Sequence, residues 1–175
     1  MEMPALRCKK IPLFANVIGQ GGPTMCMAHE MSCSCGNGIA GFNFKNEIMS
    51  GDIISRIYCP GCSRDISFDP GTMVADNGWV IEYDMEIARF QSHRLTVKSA
   101  EVTPDFIFDG GYCTWRGVYP TDHIDSVLER TEILKLAKIN TRKYLEEMKE
   151  WANTRMERLT REGWRKAREK SAVGT

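Results

Sequence analysis

Apolar and polar residues alternate over short stretches in roughly the first 120 positions of the chain, and this period of two predicts β-strands separated by turns. The predicted strands lie at residues 11–18, 39–44, 53–58, 79–83, 95–98 and 106–108. Residues 84–91 fit either a strand or a short helix. Turn signals rich in glycine, aspartate and proline punctuate this region: Ser50-Gly51-Asp52, Asp69-Pro70-Gly71, Asp76-Asn77-Gly78 and Asp109-Gly110-Gly111.

The pattern changes after Pro120, where the hydrophobic period becomes that of an α-helix. Thr121 or Asp122 can cap a helix that runs to about residue 170, because this stretch has no proline and a single glycine, Gly163. A continuous helix would be roughly 70 Å long, and a break near Asn140 would make it a helical pair. The apolar stripe consists of Val127, Leu134, Ala137, Thr141, Leu145, Met148, Ala152, Met156, Leu159 and Gly163.

The two halves of this helical stretch differ. Residues 133–139 carry apolar side chains on all sides, so we expect them to be buried, most simply against the β-rich part. From residue 145 onward the apolar face narrows, and Trp151 and Trp164 stand beside it. A single amphipathic helix cannot bury its own stripe. It folds back, pairs with another helix or occupies a groove of a partner.

Together these patterns predict an α+β protein, in which a small antiparallel β body is followed by a long C-terminal amphipathic helix. We expect a β-rich domain at residues 1–120, a long helix or helical pair at residues 121–170, and a tail at residues 171–175. A small β module of this kind gains stability from a bound metal, which replaces part of the missing hydrophobic core.

Four cysteines occur in two tight pairs, Cys33-Ser34-Cys35-Gly36 and Cys59-Pro60-Gly61-Cys62, with 23 residues between the pairs. A zinc ion takes four ligands at tetrahedral corners, and two cysteines separated by one or two residues can reach one ion from a single turn. A predicted strand, turn and strand lie between the pairs, so a hairpin would bring the two turns together. We therefore predict that Cys33, Cys35, Cys59 and Cys62 hold one structural metal ion.

This arrangement resembles the zinc-ribbon group over residues 33–62. It differs from the usual pattern of that group in two ways. The first pair has one intervening residue rather than two, and Ser63 follows the second pair where glycine is common. The resemblance implies a structural Zn²⁺ and a role in binding protein or nucleic acid, and it implies no reaction.

Three alternatives at this site stay open on the sequence alone. Iron binds the same four thiolates, but its usual rubredoxin-like loops have two residues between the cysteines, so we prefer zinc. Cys59 and Cys62 could form a dithiol–disulfide centre, although redox pairs of this spacing normally begin a helix and residues 63–70 are predicted as strand and turn. Cys26 or His29, which precede the first pair, could replace one of the four ligands.

Charge and hydropathy narrow the choice of partners. Lys+Arg and Asp+Glu both number 23, so the overall charge gives no case for nucleic acid or an anionic membrane. The basic end at residues 155–170 is the part of the chain suited to phosphate contacts. No apolar run approaches the roughly 20 residues of a membrane helix, and no signal peptide is visible. We therefore expect a cytoplasmic protein with no membrane partner, and in that compartment paired cysteines are more often metal ligands than disulfides.

The sequence predicts a non-catalytic accessory or adaptor subunit, because no set of residues has the pattern of a catalytic centre. We expect it to dock onto a larger protein assembly, or to form a homodimer, through the C-terminal helix. The proposed anchors are Leu145, Met148, Trp151, Met156 and Leu159. The alternatives are a nucleic-acid-associated zinc ribbon that assists transcription and a thiol or redox component of an electron-transfer complex.

Overall fold

The computed structural model of the chain describes residues 29–172, with side chains through residue 168. The predicted strand at residues 11–18, Cys26 and the last three residues of the predicted tail lie outside this range. The described residues form two three-stranded antiparallel sheets and five α-helices. The α+β class predicted from the sequence is confirmed.

The two sheets draw their strands from different parts of the sequence. The first sheet has the order β1-β2-β6, formed by β1 (His29–Ser32), β2 (Ile39–Asn43) and β6 (Thr114–Trp115). The second sheet has the order β3-β5-β4, formed by β3 (Ile54–Tyr58), β4 (Met73–Asp76) and β5 (Trp79–Tyr83). The strands predicted at residues 39–44, 53–58 and 79–83 are therefore present.

The turn between β4 and β5 shows how local sequence sets a strand register. Asp76 pairs with Trp79, and the two residues between them have positive φ angles, 46° at Asn77 and 85° at Gly78. These angles are those of a type I′ hairpin turn, which Asn-Gly adopts readily. The turn predicted at Asp76-Asn77-Gly78 is confirmed, and it places Trp79 at the start of the central strand of the second sheet.

Two of the strand predictions are wrong. Residues 106–108 lie within a helix, α2 (Pro104–Asp109), because Thr103 caps it by accepting the Phe106 N–H at 3.2 Å and Pro104 fits the first helical turn. Residues 95–98 form bends between two short 3₁₀ turns. Apolar runs of three or four residues are too short to distinguish a strand from a helical turn.

The stretch at residues 84–91 is helical. The Asp84 carboxylate accepts the N–H groups of Glu86 and Ile87 at 3.1 and 3.0 Å, so it caps α1 (Met85–Gln91). Without such an acceptor the first N–H groups of a helix lack partners. The cap therefore decides between the two structures that the sequence allowed.

The C-terminal stretch forms three helices, α3 (Asp122–Leu136), α4 (Thr141–Glu162) and α5 (Arg165–Ala172). The helical stretch is not continuous at Asn140, which is one of the two alternatives that the sequence left open, since the Asn140 side chain caps α4 by accepting the Lys143 N–H at 3.0 Å. Gly163, with φ of 95°, ends α4 in the left-handed conformation that favours glycine. None of the helices in the described part of the chain is both long and apolar enough to cross a membrane.

Helices α3 and α4 form an antiparallel pair whose contact surface is polar. Glu129 accepts hydrogen bonds from Trp151 Nε1 at 3.0 Å and from Arg158 at 2.8 Å. Near the start of α3, Asp122 forms an ion pair with Arg155, and both side chains are largely buried. The polar side of α3 therefore faces α4.

The burial expected for residues 133–139 is wrong for Leu134 and Ile139, whereas Ile133 and Leu136 are half-buried. Leu134 is 46% exposed and Ile139 is 79% exposed. The physical reason is the orientation of α3, which turns its charged residues towards α4 and leaves apolar side chains on the outside. The β body is instead contacted by the end of α4 and by α5, where Leu159 packs with Val118 and Trp164.

Trp115 joins both sheets and α2 in the main core. Its ring centroid lies 5.4 Å from that of Phe42 in the first sheet, 6.1 Å from Trp79 in the second and 5.8 Å from Phe108 in α2. Its indole Nε1 donates to a carboxylate oxygen of Asp76 at 2.8 Å. One fully buried side chain therefore contacts every layer of the body.

Asp76 links the two sheets to the C-terminal helix. One oxygen accepts from Trp115 and the other accepts the backbone N–H of Arg165, at the start of α5, at 3.0 Å. Burial raises the pKa of the Asp76 carboxyl, while these two donors oppose the rise. Buried donors require an acceptor, so this carboxylate holds three elements together.

Replacing Asp76 with alanine should lower the free energy of unfolding by about 2–4 kcal/mol, because two buried N–H groups lose their acceptors. Urea unfolding followed by tryptophan fluorescence measures the change. The matched control is Glu101→Ala, which removes an exposed carboxylate and should change the stability by less than about 0.5 kcal/mol. Equal losses in the two variants would contradict the linking role of Asp76.

Candidate metal centre

The four cysteines of the two sequence pairs lie together in space. Cys33 and Cys35 follow β1, and Cys59 and Cys62 follow β3. Their four sulfur atoms all lie within 4.8 Å of one another, and the Cys35 sulfur is 3.5 Å from those of Cys33 and Cys59. Sulfur ligands about 2.3 Å from a tetrahedral ion lie about 3.8 Å apart. The cluster therefore has the dimensions of a four-thiolate metal site.

The first pair is held by a tight turn that closes on itself. The Cys33 N–H donates to the Gly38 carbonyl at 2.8 Å, and the Gly36 N–H donates to the Cys33 carbonyl at 2.9 Å. Gly36 has φ of 76°, which a residue with a Cβ adopts only with strain. The next N–H, of Asn37, points at the Cys35 sulfur at 3.4 Å. The first turn therefore directs a backbone N–H group at one of the candidate ligand sulfurs.

The second pair forms a matching turn. The N–H groups of Cys62 and Ser63 both donate to the Cys59 carbonyl at 2.9 Å. The Ser63 hydroxyl donates to the Gly78 carbonyl at 2.6 Å, which attaches this turn to the β4–β5 hairpin. The Cys59 N–H reaches across to the Cys33 sulfur at 3.4 Å and connects the two turns directly.

The prediction of a hairpin between the two cysteine pairs is wrong. Strand β2 pairs with β1 and β6, whereas β3 pairs with β5, so the strands on either side of the 50–52 turn belong to different sheets. The two cysteine turns therefore meet at the junction of two sheets, and a metal ion at the cluster would join one sheet to the other. This departs from a ribbon in which a single hairpin carries both pairs.

Gly38 is a site residue that sequence reasoning missed. A Cβ at this position would lie 2.8 Å from the Cys59 Cβ and 2.7 Å from the Trp79 ring. Both distances are shorter than normal contacts, so only glycine lets the first turn approach the second this closely. The sequence around Gly38 does not indicate this role. The two residues that require a glycine there, Cys59 and Trp79, lie 21 and 41 positions further along the chain.

The surroundings favour the thiolate form at Cys33 and Cys59 and oppose it at Cys62. Burial acts to raise the pKa of Cys33, but the N–H groups of Cys35 and Cys59 and the adjacent thiols outweigh it and lower that pKa to about 6. The pKa of Cys59 is lowered chiefly by the Cys62 N–H. The pKa of Cys62 is raised, because its thiol hydrogen-bonds to the sulfurs of Cys35, Cys33 and Cys59. A bound divalent ion would displace the protons that remain.

The other candidate ligands lie elsewhere. Among the described residues, the group whose side chains can share one ion consists of the four cysteines. The His29 ring lies edge-on to Phe44 and Phe42, with centroids 5.9 and 6.4 Å apart. Cys113 is fully buried, and burial raises the pKa of its thiol. Cys26 is outside the described residues.

The five predicted docking residues fall into two groups. Leu145 is 60% exposed on α4, and Met148 and Trp151 are half-buried. Leu159 is 1% exposed and Met156 packs beside it, so both belong to the hydrophobic cluster between α4, α5 and the body. These two anchors are therefore removed from the predicted surface, since their side chains are used within the chain.

Much of the basic end is paired with carboxylates of the same chain. Arg158 lies 2.8 Å from Glu129, and Arg165 bonds Asp105 and Asp109 at 2.7 and 2.5 Å. The long basic side chains thus fasten α4 and α5 to α3 and α2.

Comparison of the chain with known protein families, with curated proteins and with solved structures finds no match.

Replacing Gly38 with alanine should weaken metal binding by about tenfold or more, because the added methyl group pushes the two cysteine turns apart. Competition for Co²⁺ or Zn²⁺ with a chromophoric chelator measures the affinity. Gly61→Ala is the matched control, since a Cβ at Gly61 meets only the Cys59 sulfur, at an ordinary 3.8 Å. If both variants bind metal as tightly as the unmodified chain, the close approach at Gly38 has no role in the site.

Proposed function

We propose that this chain is a non-catalytic zinc-binding accessory protein, in which a structural Zn²⁺ fixes two small sheets and the C-terminal helices dock onto another protein. The single observation that supports the metal is the convergence of four sulfur atoms from two separate turns. Each turn directs N–H groups at sulfur, so the donors are arranged for thiolate rather than for a neutral core cysteine.

A structural role follows from the number of protein ligands. Four thiolates complete the tetrahedral shell of zinc and leave no open position for water or substrate. Cys33 and Cys59 are 2% and 6% exposed, so two of the sulfurs lie inside the body. A closed, partly buried site suits an ion that holds two sheets together. The same donors accept iron, so the identity of the metal is part of the proposal.

A redox role for Cys59 and Cys62 receives less support. Both sulfurs share the cluster with Cys33 and Cys35, so a bound ion would shield them from oxidants. After Cys62 the chain makes one 3₁₀ turn, Ser63–Asp65, which is too short to act as the helix that normally lowers the pKa of a redox thiol.

Protein docking is supported by the apolar side chains that the helical pair leaves outside. Leu145, Ile139 and Leu128 are 60%, 79% and 67% exposed. These exposed apolar side chains lie on α3, on α4 and in the turn between them, and exposed apolar surface is typical of interaction sites when it is contiguous. The alternative of nucleic-acid contact through residues 155–170 receives less support, because phosphates would compete with Glu129, Asp105 and Asp109 for the same arginines.

Removing the metal should loosen the body, with the largest effect where the sheets meet. We expect the purified chain to contain about one Zn²⁺, and chelator treatment to lower its melting temperature by on the order of 10 °C or more. Elemental analysis, thermal melting and hydrogen exchange of the segment from Cys33 to Cys62 measure these effects. Cys59→Ala should abolish binding, whereas Cys113→Ala should keep the full metal content despite its core cavity. A metal-free chain that melts identically with and without chelator would disprove the structural ion.

The docking role predicts that Leu145→Glu loses a co-purifying protein that the unmodified chain retains. Both forms should carry the same zinc, because Leu145 is exposed on α4 and outside the cluster. Affinity isolation followed by quantitative mass spectrometry compares them, with Phe90→Glu, which alters an exposed side chain of α1, as the control. Identical sets of co-purifying proteins from all three forms would count against docking through α4.

A further inference from the structure

Helix α3 presents an apolar stripe to solvent. Ile124, Val127, Leu128 and Leu134 are 46%, 50%, 67% and 46% exposed. At 100° per residue their side chains lie on one side of the helix. Most exposed leucines and isoleucines occur singly and carry no meaning, but four on one face of one helix form an apolar stripe, in which Thr131 separates Leu128 from Leu134.

This stripe cannot turn inward without breaking the contact with α4. The opposite side of α3 carries Glu129, which accepts from Trp151 and Arg158, and Asp122, which pairs with Arg155. The Asp122 and Arg155 side chains are only 6% and 10% exposed, so rotating α3 would leave buried charges without partners. The polar contact therefore fixes the apolar side of α3 on the outside.

The charges beside the stripe are unequal at its two ends. Asp125 lies near the start of α3. At the other end Lys135 forms an ion pair with Glu132 at 2.6 Å, so Lys138, just beyond the helix, carries the net positive charge there. A second α3 laid antiparallel places each acidic end against the basic end of the other helix, and it also sets the two helix dipoles in opposite directions. A parallel arrangement would instead bring like charges together.

We propose that a second copy of this chain covers the α3 stripe, and that the two α3 helices pack antiparallel across a two-fold axis. The surface is then complementary to itself, as a two-fold dimer requires. This inference goes beyond the docking role proposed above, because it concerns α3 and a second copy of the chain rather than α4 and another protein, and it is independent of the metal. The stripe covers about three helical turns, which is at the small end of specific interfaces, so the dimer dissociates on dilution.

Sedimentation velocity of the intact, zinc-loaded chain from about 2 to 200 μM tests the proposal. The expected mass rises from that of a 19.8 kDa monomer towards twice that value. Leu128→Glu places a charge in the middle of the stripe and should weaken association by about tenfold or more. Phe90→Glu, at an apolar side chain that is 75% exposed on α1, should leave association unchanged. Zinc content and circular dichroism establish that each variant is folded.

Charge reversal supplies a second test that does not alter the apolar stripe. Lys138→Glu should weaken the dimer, and adding Asp125→Lys in the same chain should restore part of the loss, because the acidic and basic ends are then exchanged. A zinc-loaded chain that stays monomeric at every concentration overturns the dimer, leaves the metal site standing and assigns the stripe to another protein or to residues 1–28. A dimer that survives both Leu128→Glu and Lys138→Glu overturns it as well, because its interface then lies elsewhere.

Discussion

The architecture depends on the meeting of two cysteine turns at the junction of two sheets. Each sheet has three short strands, and sheets of this size are marginal on their own. Cys33 and Cys35 end β1 of the first sheet, whereas Cys59 and Cys62 end β3 of the second. Every sulfur–sulfur distance is 4.8 Å or less, so an ion held there would tie the ends of two strands that share no ladder hydrogen bonds. The cysteine cluster thus lies between the two sheets and contains residues from both.

A second contact between the two sheets lies in the hydrophobic core and consists of aromatic packing and hydrogen bonds. Trp115 of the first sheet contacts Trp79 of the second and donates to Asp76, which also accepts the first N–H of α5. Trp79 further closes on Gly38 beside the cysteines. The cysteine cluster and the aromatic packing are therefore neighbours, and the position of one constrains the other. A small β body buries too little surface for its hydrophobic core to supply all of its stability. Both contacts between the sheets would therefore contribute to that stability.

The helical part is organised in the opposite way from an ordinary amphipathic bundle. Acidic and basic side chains meet between α3 and α4, and apolar side chains of α3 lie outside. Buried ion pairs are costly to break once formed, so they fix the rotation of α3 about its axis. The end of α4 instead follows the usual rule and buries Leu159 with Trp164 against the body. One end of the helical part thus completes the fold, and the other leaves apolar side chains of α3 exposed.

The features that the sequence determined are local ones. The spacing within each cysteine pair, the Asn-Gly turn at residues 77–78 and the break at Asn140 are set by residues within a few positions of one another, so they can be recognised without a fold. The end of α4 at Gly163 is local as well, but the helical pattern continues past it to about residue 170 and gave no prediction of an end there. Tertiary structure decided which strands pair, which is why the expected hairpin between the cysteine pairs is replaced by two sheets. It also decided that α3 faces α4 with its charges and that Gly38 needs to lack a side chain. These outcomes depend on contacts between residues far apart in the chain, and hydrophobic periodicity carries no information about which distant surface an element will meet.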